Sequence, residues 1–207
     1  MSQFRLSRLA LPALILIGGA ALSGCVATAV GAGATVGDTA LQDRGVKGAA
    51  TDTAIRAEIN HYWLDKDHKM WMGLKLQIYE GRVLVSGAVP NADMRADAVQ
   101  LAWKAKGVKE VIDEVVVTDQ GGIVDYGRDV AIGTELDAKL LFAKGVQSVN
   151  YSSEVVNGVV YLLGVAQNQA ELDKVLDIAR NIANVKKVVS HVIMKDDPKR
   201  FRSASAS

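Results

Sequence analysis

The sequence predicts an α+β fold: two tandem αββαβ modules, each with two helices on a three-stranded mixed sheet. Three observations carry this prediction. Matching residues recur at one ungapped offset of 77 (158 − 81 = 77): Gly81 with Gly158, Gly87 with Gly164, Asp52 with Asp129, Glu58 with Glu135, Asn91 with Asn168, and Val108-Lys109 with Val185-Lys186. A repeat held over that length sets domain boundaries before any element is assigned. Within each repeat, apolar residues fall at helical spacing in two stretches, and alternating or continuous apolar runs flank a tight turn.

The elements follow in order. The first 24 residues have Arg5 and Arg8 before the apolar run from Leu9 to Leu22, then Ser23-Gly24. That run is shorter than the roughly 20 residues needed to span a bilayer, and with its basic start and small-residue exit it describes a signal peptide. Residues 25–50 are Gly- and Ala-rich without a period and are expected to form a flexible tether. The motif Gly31-Ala32-Gly33-Ala34-Thr35-Val36-Gly37 has the wrong spacing and no βαβ context for a dinucleotide fingerprint.

Module 1 spans 51–118. A helix from about Asp52 to Leu64 is expected to bury Ile55, Ile59 and Trp63, at i, i+4 and i+8. Strands Leu74–Tyr79 and Arg82–Gly87 surround Glu80-Gly81, a second helix starts at Asn91, and a strand closes at Val111–Val117. Residues 119–128 form a linker. Module 2, 129–195, repeats the plan, with Ile132, Leu136 and Leu140 on its first helix and Asn157-Gly158 as a type I′ hairpin signal. Asn168 with Glu171 reads as a capping box, and the last strand covers Val188–Met194. The connection between modules is short and a module of this size has a marginal core, so the two are expected to pack on each other. Residues 196–207, including Lys199-Arg200-Phe201-Arg202, read as a disordered tail.

Composition limits the function classes. With 24 Lys+Arg against 23 Asp+Glu, the chain lacks the basic excess of a dedicated nucleic-acid binder, so no nucleic-acid partner is expected. A single cysteine supports neither a disulfide framework nor a Cys-rich metal site. His61, Asp65, Asp67 and His68 are close in sequence, but the repeat has Ala138 and Gly145 at the histidine positions, so no metal is expected. No G-x-S-x-G elbow or H-E-x-x-H motif occurs; the expectation is a protein that is not an enzyme and needs no cofactor.

Leu22-Ser23-Gly24-Cys25 resembles the bacterial lipobox. The resemblance implies cleavage before Cys25 and acylation of its sulfur and new amino group, which gives a firm anchor. Val26 differs from the aspartate that resembles the enteric inner-membrane retention signal, so localisation is expected at the outer membrane, facing the periplasm. The hairpin glycines, the strand-end glycines and the closing segments Gly107 to Val111 and Asn184 to Val188 resemble the BON domain of exported bacterial proteins. Two such modules behind a lipobox look like the dual-BON-domain lipoproteins of Gram-negative envelopes.

That resemblance implies recognition of anionic phospholipid through the opening helix of module 2, and support of outer-membrane integrity. An interfacial helix needs apolar or aromatic groups beside cations. In that helix Lys139, Phe142 and Lys144 are the candidate contacts, and Lys186 and Lys187 offer a second basic edge. The alternative is an adapter that binds proteins of envelope assembly, with Trp71 and Met72 as the candidate partner surface.

Overall fold

The computed structural model describes residues 42–118 and 126–201. The expected signal peptide, Cys25, the tether up to residue 41, most of the linker and the last six residues lie outside the described residues. Module 1 consists of α1 (Gly45–Lys66), α2 (His68–Gly73), β1 (Leu74–Tyr79), β2 (Arg82–Val89), α3 (Ala92–Lys104) and β3 (Glu110–Val117). Module 2 consists of α4 (Tyr126–Phe142), a 3₁₀ turn (Ser148–Asn150), β4 (Tyr151–Val156), β5 (Val159–Ala166), α5 (Gln169–Arg180) and β6 (Lys187–Met194). A final 3₁₀ turn covers Pro198–Phe201. In each sheet the middle strand pairs antiparallel with its hairpin partner and parallel with the closing strand. This is the expected α+β fold with mixed sheets.

Each helical stripe lies where its period places it. Ile55, Ile59 and Trp63 are buried with Ile78, Val83, Val85 and Ala98, and the Trp63 indole N–H donates to the Ala98 carbonyl at 3.1 Å. Ile132, Leu136 and Leu140 pack on Val155, Val160, Leu162 and Val175. Asn91 and Asn168 cap their helices by accepting from the N–H of Met94 and Glu171. The capping box is not formed. The Glu171 carboxylate instead accepts from the N–H of Gln167 and of Gln147, both at 2.7 Å, and so ties α5 to the loop after α4.

Both turns have the left-handed pairs of a type I′ hairpin: Glu80 and Gly81 at φ 55° and 77°, Asn157 and Gly158 at 52° and 80°. An aspartate on the opening helix clamps each turn. Asp52 accepts from the N–H of Glu80 and Gly81 at 2.9 and 2.8 Å; Asp129 accepts from Asn157 and Gly158 at 2.6 and 2.8 Å. A hydrogen bond to a charged acceptor contributes about 1.5–3 kcal/mol, so Asp129→Ala should lower stability by roughly 3 kcal/mol. Urea unfolding followed by circular dichroism measures this, and a loss below about 1 kcal/mol would refute the clamp.

Each sheet has a second buried face. Tyr79 and Leu84 from module 1 and Val156, Tyr161, Leu163 and Val165 from module 2 form one apolar cluster between the sheets. The layers therefore run helices, sheet, sheet, helices. β1 and β4 are in contact, with the Tyr79 hydroxyl donating to the Asn150 side-chain oxygen at 3.0 Å. Arg82 donates to the His191 carbonyl, and Glu114 meets the His191 imidazole at 2.9 Å. Glu114 and His191 occupy the same place in the repeat (191 − 114 = 77). Gln77 and Ser86 are buried with no hydrogen-bond partner for their side chains among the described residues, a polar cost inside this layer.

Three boundaries differ from the sequence expectation: α4 begins at Tyr126, inside the expected linker, and the other two are fixed by contacts. The opening helix of module 1 begins at Gly45, so residues 45–50, expected in the tether, are helical. Tertiary contacts override the weak helix propensity of this Gly-rich stretch: Arg44 pairs with Asp52 at 2.6 Å, donates to the Ile78 carbonyl and lies 4.8 Å from the centre of the Tyr79 ring. The expected disordered tail is corrected over Pro198–Phe201. Arg200 crosses to module 1 and pairs with both carboxylate oxygens of Glu80, at 2.9 and 2.6 Å. It also donates to the Lys195 carbonyl, and Lys109 donates to the Arg200 carbonyl.

Candidate surfaces at the two ends of the sheets

The residues expected to contact lipid do not form one patch. α4 runs antiparallel to β4, so its C-terminus lies where β4 starts and its N-terminus lies by the Asn157-Gly158 turn. Lys139, Phe142 and Lys144 are at the first of these ends. Lys186, whose ammonium donates to the Asn157 carbonyl at 2.9 Å, and Lys187, at the start of β6, are at the second. The separation is about 20 Å, from 13 helical steps between Asp129 and Phe142 (142 − 129 = 13).

At the C-terminal end of α4, Phe142 is 82% exposed and Leu141 beside it is 64% exposed. Both lie off the stripe Ile132–Leu136–Leu140, which explains why the core does not cover them. A groove of ≈ 480 Å³ runs from Leu141 to Val149 and Ser152. The cations here are not equivalent. Lys139 is paired with Glu135 one turn earlier at 2.8 Å, so its charge is largely spent within the helix. Lys144 has no carboxylate partner among the described residues. Lys174 from α5 reaches the Lys144 carbonyl at 2.8 Å and adds a cation here. Leu141 was readable from its place off the apolar stripe; the approach of Lys174 depends on the packing of α5 and left no sequence signal.

The same end holds the start of the described chain. Asp43 donates its N–H to the Asn150 side chain at 2.8 Å, and Gln167 donates to the Asp43 carboxylate. Gln42, where the described residues begin, therefore lies beside the loop that follows α4.

The opposite end has a different character. Trp71 and Met72 on α2 are 41% and 64% exposed. They line a groove of ≈ 420 Å³ with Arg56, Asn60, Lys75 and Glu154, which brings both modules together. Burial raises the Glu154 carboxyl above its ordinary range, opposed by the charges of Lys75 and Arg56. Burial likewise lowers the Arg56 guanidinium, which donates to the Leu76 carbonyl at 2.7 Å. Lys75 lies 5.9 Å from the centre of the Tyr126 ring.

His61 and Asp65 approach to 3.4 Å on the exposed face of α1. Among the described residues no three His, Cys, Asp or Glu side chains gather as a metal site, and no described helix is long and apolar enough to cross a membrane.

Comparison with known proteins gives the same organisation. The BON domain profile matches twice, over residues 51–119 and 128–196. An uncharacterized protein from the gshII 5′ region of Anaplasma centrale is 38% identical over 145 residues, covering 70% of this chain and 95% of that protein. The outer membrane lipoprotein DolP of Haemophilus influenzae is 32% identical over 171 residues, 81% of this chain and 87% of the relative. The osmotically inducible protein Y of Escherichia coli is 32% identical over 139 residues, 66% and 69% of the two chains.

Proposed function

The chain belongs to the BON-domain family, and from that premise we propose that it is a non-enzymatic, lipid-anchored protein of the outer membrane that faces the periplasm, binds anionic phospholipid and supports membrane integrity. The observation that carries the reading is the pair Leu141 and Phe142, exposed at the end of α4 beside Lys144 and Lys174. Apolar groups next to cations suit the boundary between headgroups and acyl chains. The lipobox-like Cys25 and the similarity to an outer membrane lipoprotein support the location.

The test uses the mature chain with Cys25→Ser, so that binding reports the folded surface and not the acyl chains. It should sediment with vesicles containing phosphatidylglycerol, less so as salt rises, and not with phosphatidylcholine vesicles. Burying a phenylalanine is worth about 1.5–3 kcal/mol, so Phe142→Asp should weaken binding by about tenfold or more. Lys144→Glu should weaken it more than Lys139→Glu, because Glu135 already neutralises Lys139. Unchanged binding by Phe142→Asp would move the lipid contact away from α4.

A second reading, an adapter for envelope assembly proteins, is favoured by one observation: Trp71 and Met72 are exposed beside a groove walled by both modules. Large aromatic side chains beside a pocket are frequent anchors of protein interfaces. Crosslinking from Met72 in intact cells, lost on Trp71→Ala, would support it.

A further inference from the structure

The C-terminal turn provides an independent surface. Phe201 is 75% exposed, yet its neighbour Arg200 is fixed to Glu80 through two hydrogen bonds and holds the Lys195 carbonyl. Donation to the Glu80 carboxylate holds the Arg200 guanidinium above its ordinary pKa, so Arg200 keeps its charge. An exposed phenylalanine is thus carried on an anchored backbone. Arg44, Lys47, Lys109 and Phe201 line one groove of ≈ 480 Å³ at the N-terminus of α1, with Val46 exposed nearby.

This groove is at the same end of the sheets as Phe142. Contacts connect the two: the loop after α4 leads to Asn150, which binds Asp43 and Tyr79, and Tyr79 precedes Glu80, which holds Arg200. Acids at this end are largely engaged, Asp52 by Arg44, Glu80 by Arg200, and Glu110 by Arg82 and Lys199. Lys47, Lys109, Lys144 and Lys195 have no carboxylate partner among the described residues, and Asp43, Glu171, Asp196 and Asp197 have no cation partner there. The chain from Cys25 arrives at this end through Gln42.

We infer that Phe201, with Val46 and Lys47, is a second contact with the anionic bilayer that carries the anchor, so that both modules touch it through one end of the molecule. The inference rests on the lipid-anchored reading, and it names the membrane as occupant because the anchor's chain enters beside this surface and Lys47 and Lys109 line the groove with Phe201 without a carboxylate partner among the described residues. Trp71 and Met72, at the other end, then point away from the bilayer.

The experiment places an environment-sensitive fluorophore on a single cysteine in the full mature Cys25→Ser chain: Phe201→Cys, Phe142→Cys or Met72→Cys. Vesicles are phosphatidylethanolamine with phosphatidylglycerol. The expected result is a blue shift and a severalfold rise in emission at positions 201 and 142, with no change at 72. A response at 142 without one at 201 overturns this inference and leaves the proposed function intact. A response at 201 alone supports the inference and removes α4 as the lipid site. No response at either, without sedimentation, defeats both, and equal responses at all three positions overturn the oriented contact. Phe201→Asp on the unlabelled chain should weaken vesicle binding severalfold at unchanged thermal stability, since the ring is largely solvated.

Discussion

Replacing Gly164 with alanine should cost more than about 3 kcal/mol and leave little folded protein at 37 °C. Gly164 sits opposite Tyr151 in the β4–β5 ladder at φ +151°, and a Cβ placed there would be 2.1 Å from the Asn150 carbonyl oxygen. The obstructing atom is backbone, and Asn150 is itself held by Asp43, Gln147 and Tyr79. Relief would require moving the start of β4 and, with it, the contact with module 1. Gly87 occupies the equivalent site, with its added Cβ 2.3 Å from the Gly73 carbonyl, so Gly87→Ala should behave alike. A melting temperature within a few degrees of the parent for either variant would contradict this packing.

Leu163→Asp should cost more than about 4 kcal/mol, because it places an unpaired carboxylate in the layer between the sheets. Leu163 is fully buried there with Tyr79 and Leu84 of the other module. The readout can be made selective, since Trp63, Trp71 and Trp103 are all in module 1 and tryptophan fluorescence follows that module alone. If the inter-sheet layer couples the modules, a substitution in module 2 should lower the midpoint of the Trp63 transition together with the overall circular dichroism signal. An unaltered tryptophan transition would mean that module 1 stands without its partner.

Much of this architecture was legible. The offset of 77 fixed two modules, the stripes Ile55–Ile59–Trp63 and Ile132–Leu136–Leu140 gave the covered helix faces, and Asn157-Gly158 gave the hairpin. The continuous run Val159 to Ala166 also carried a signal, because a strand covered on one face only would alternate. That run is the trace of the second sheet. Asp52 and Asp129 were visible as repeat partners, but their purpose needed the turn to be brought beneath the helix. The docking of Arg200 was not legible at all, since Glu80 lies 120 residues away and a single ion pair has no period.

For the candidate site, the exposed Phe142 was readable as an apolar residue two positions past the stripe's end and off its line. The division of Lys139 and Lys144 from Lys186 and Lys187 was not readable, because it depends on α4 lying antiparallel to β4. Neither was the neutralisation of Lys139 by Glu135 weighed against the exposed charge of Lys144, although their i, i+4 spacing offered the hint.

Glu114 touching His191, its own counterpart in the other copy, has a further meaning. Self-pairing of equivalent positions marks the axis of an isologous contact, the arrangement by which identical subunits form a symmetric dimer. Joining the copies in one polypeptide replaces an encounter that depends on concentration with an internal one. The two sheet faces thus meet as those of a symmetric dimer do, with the partner supplied by the same chain.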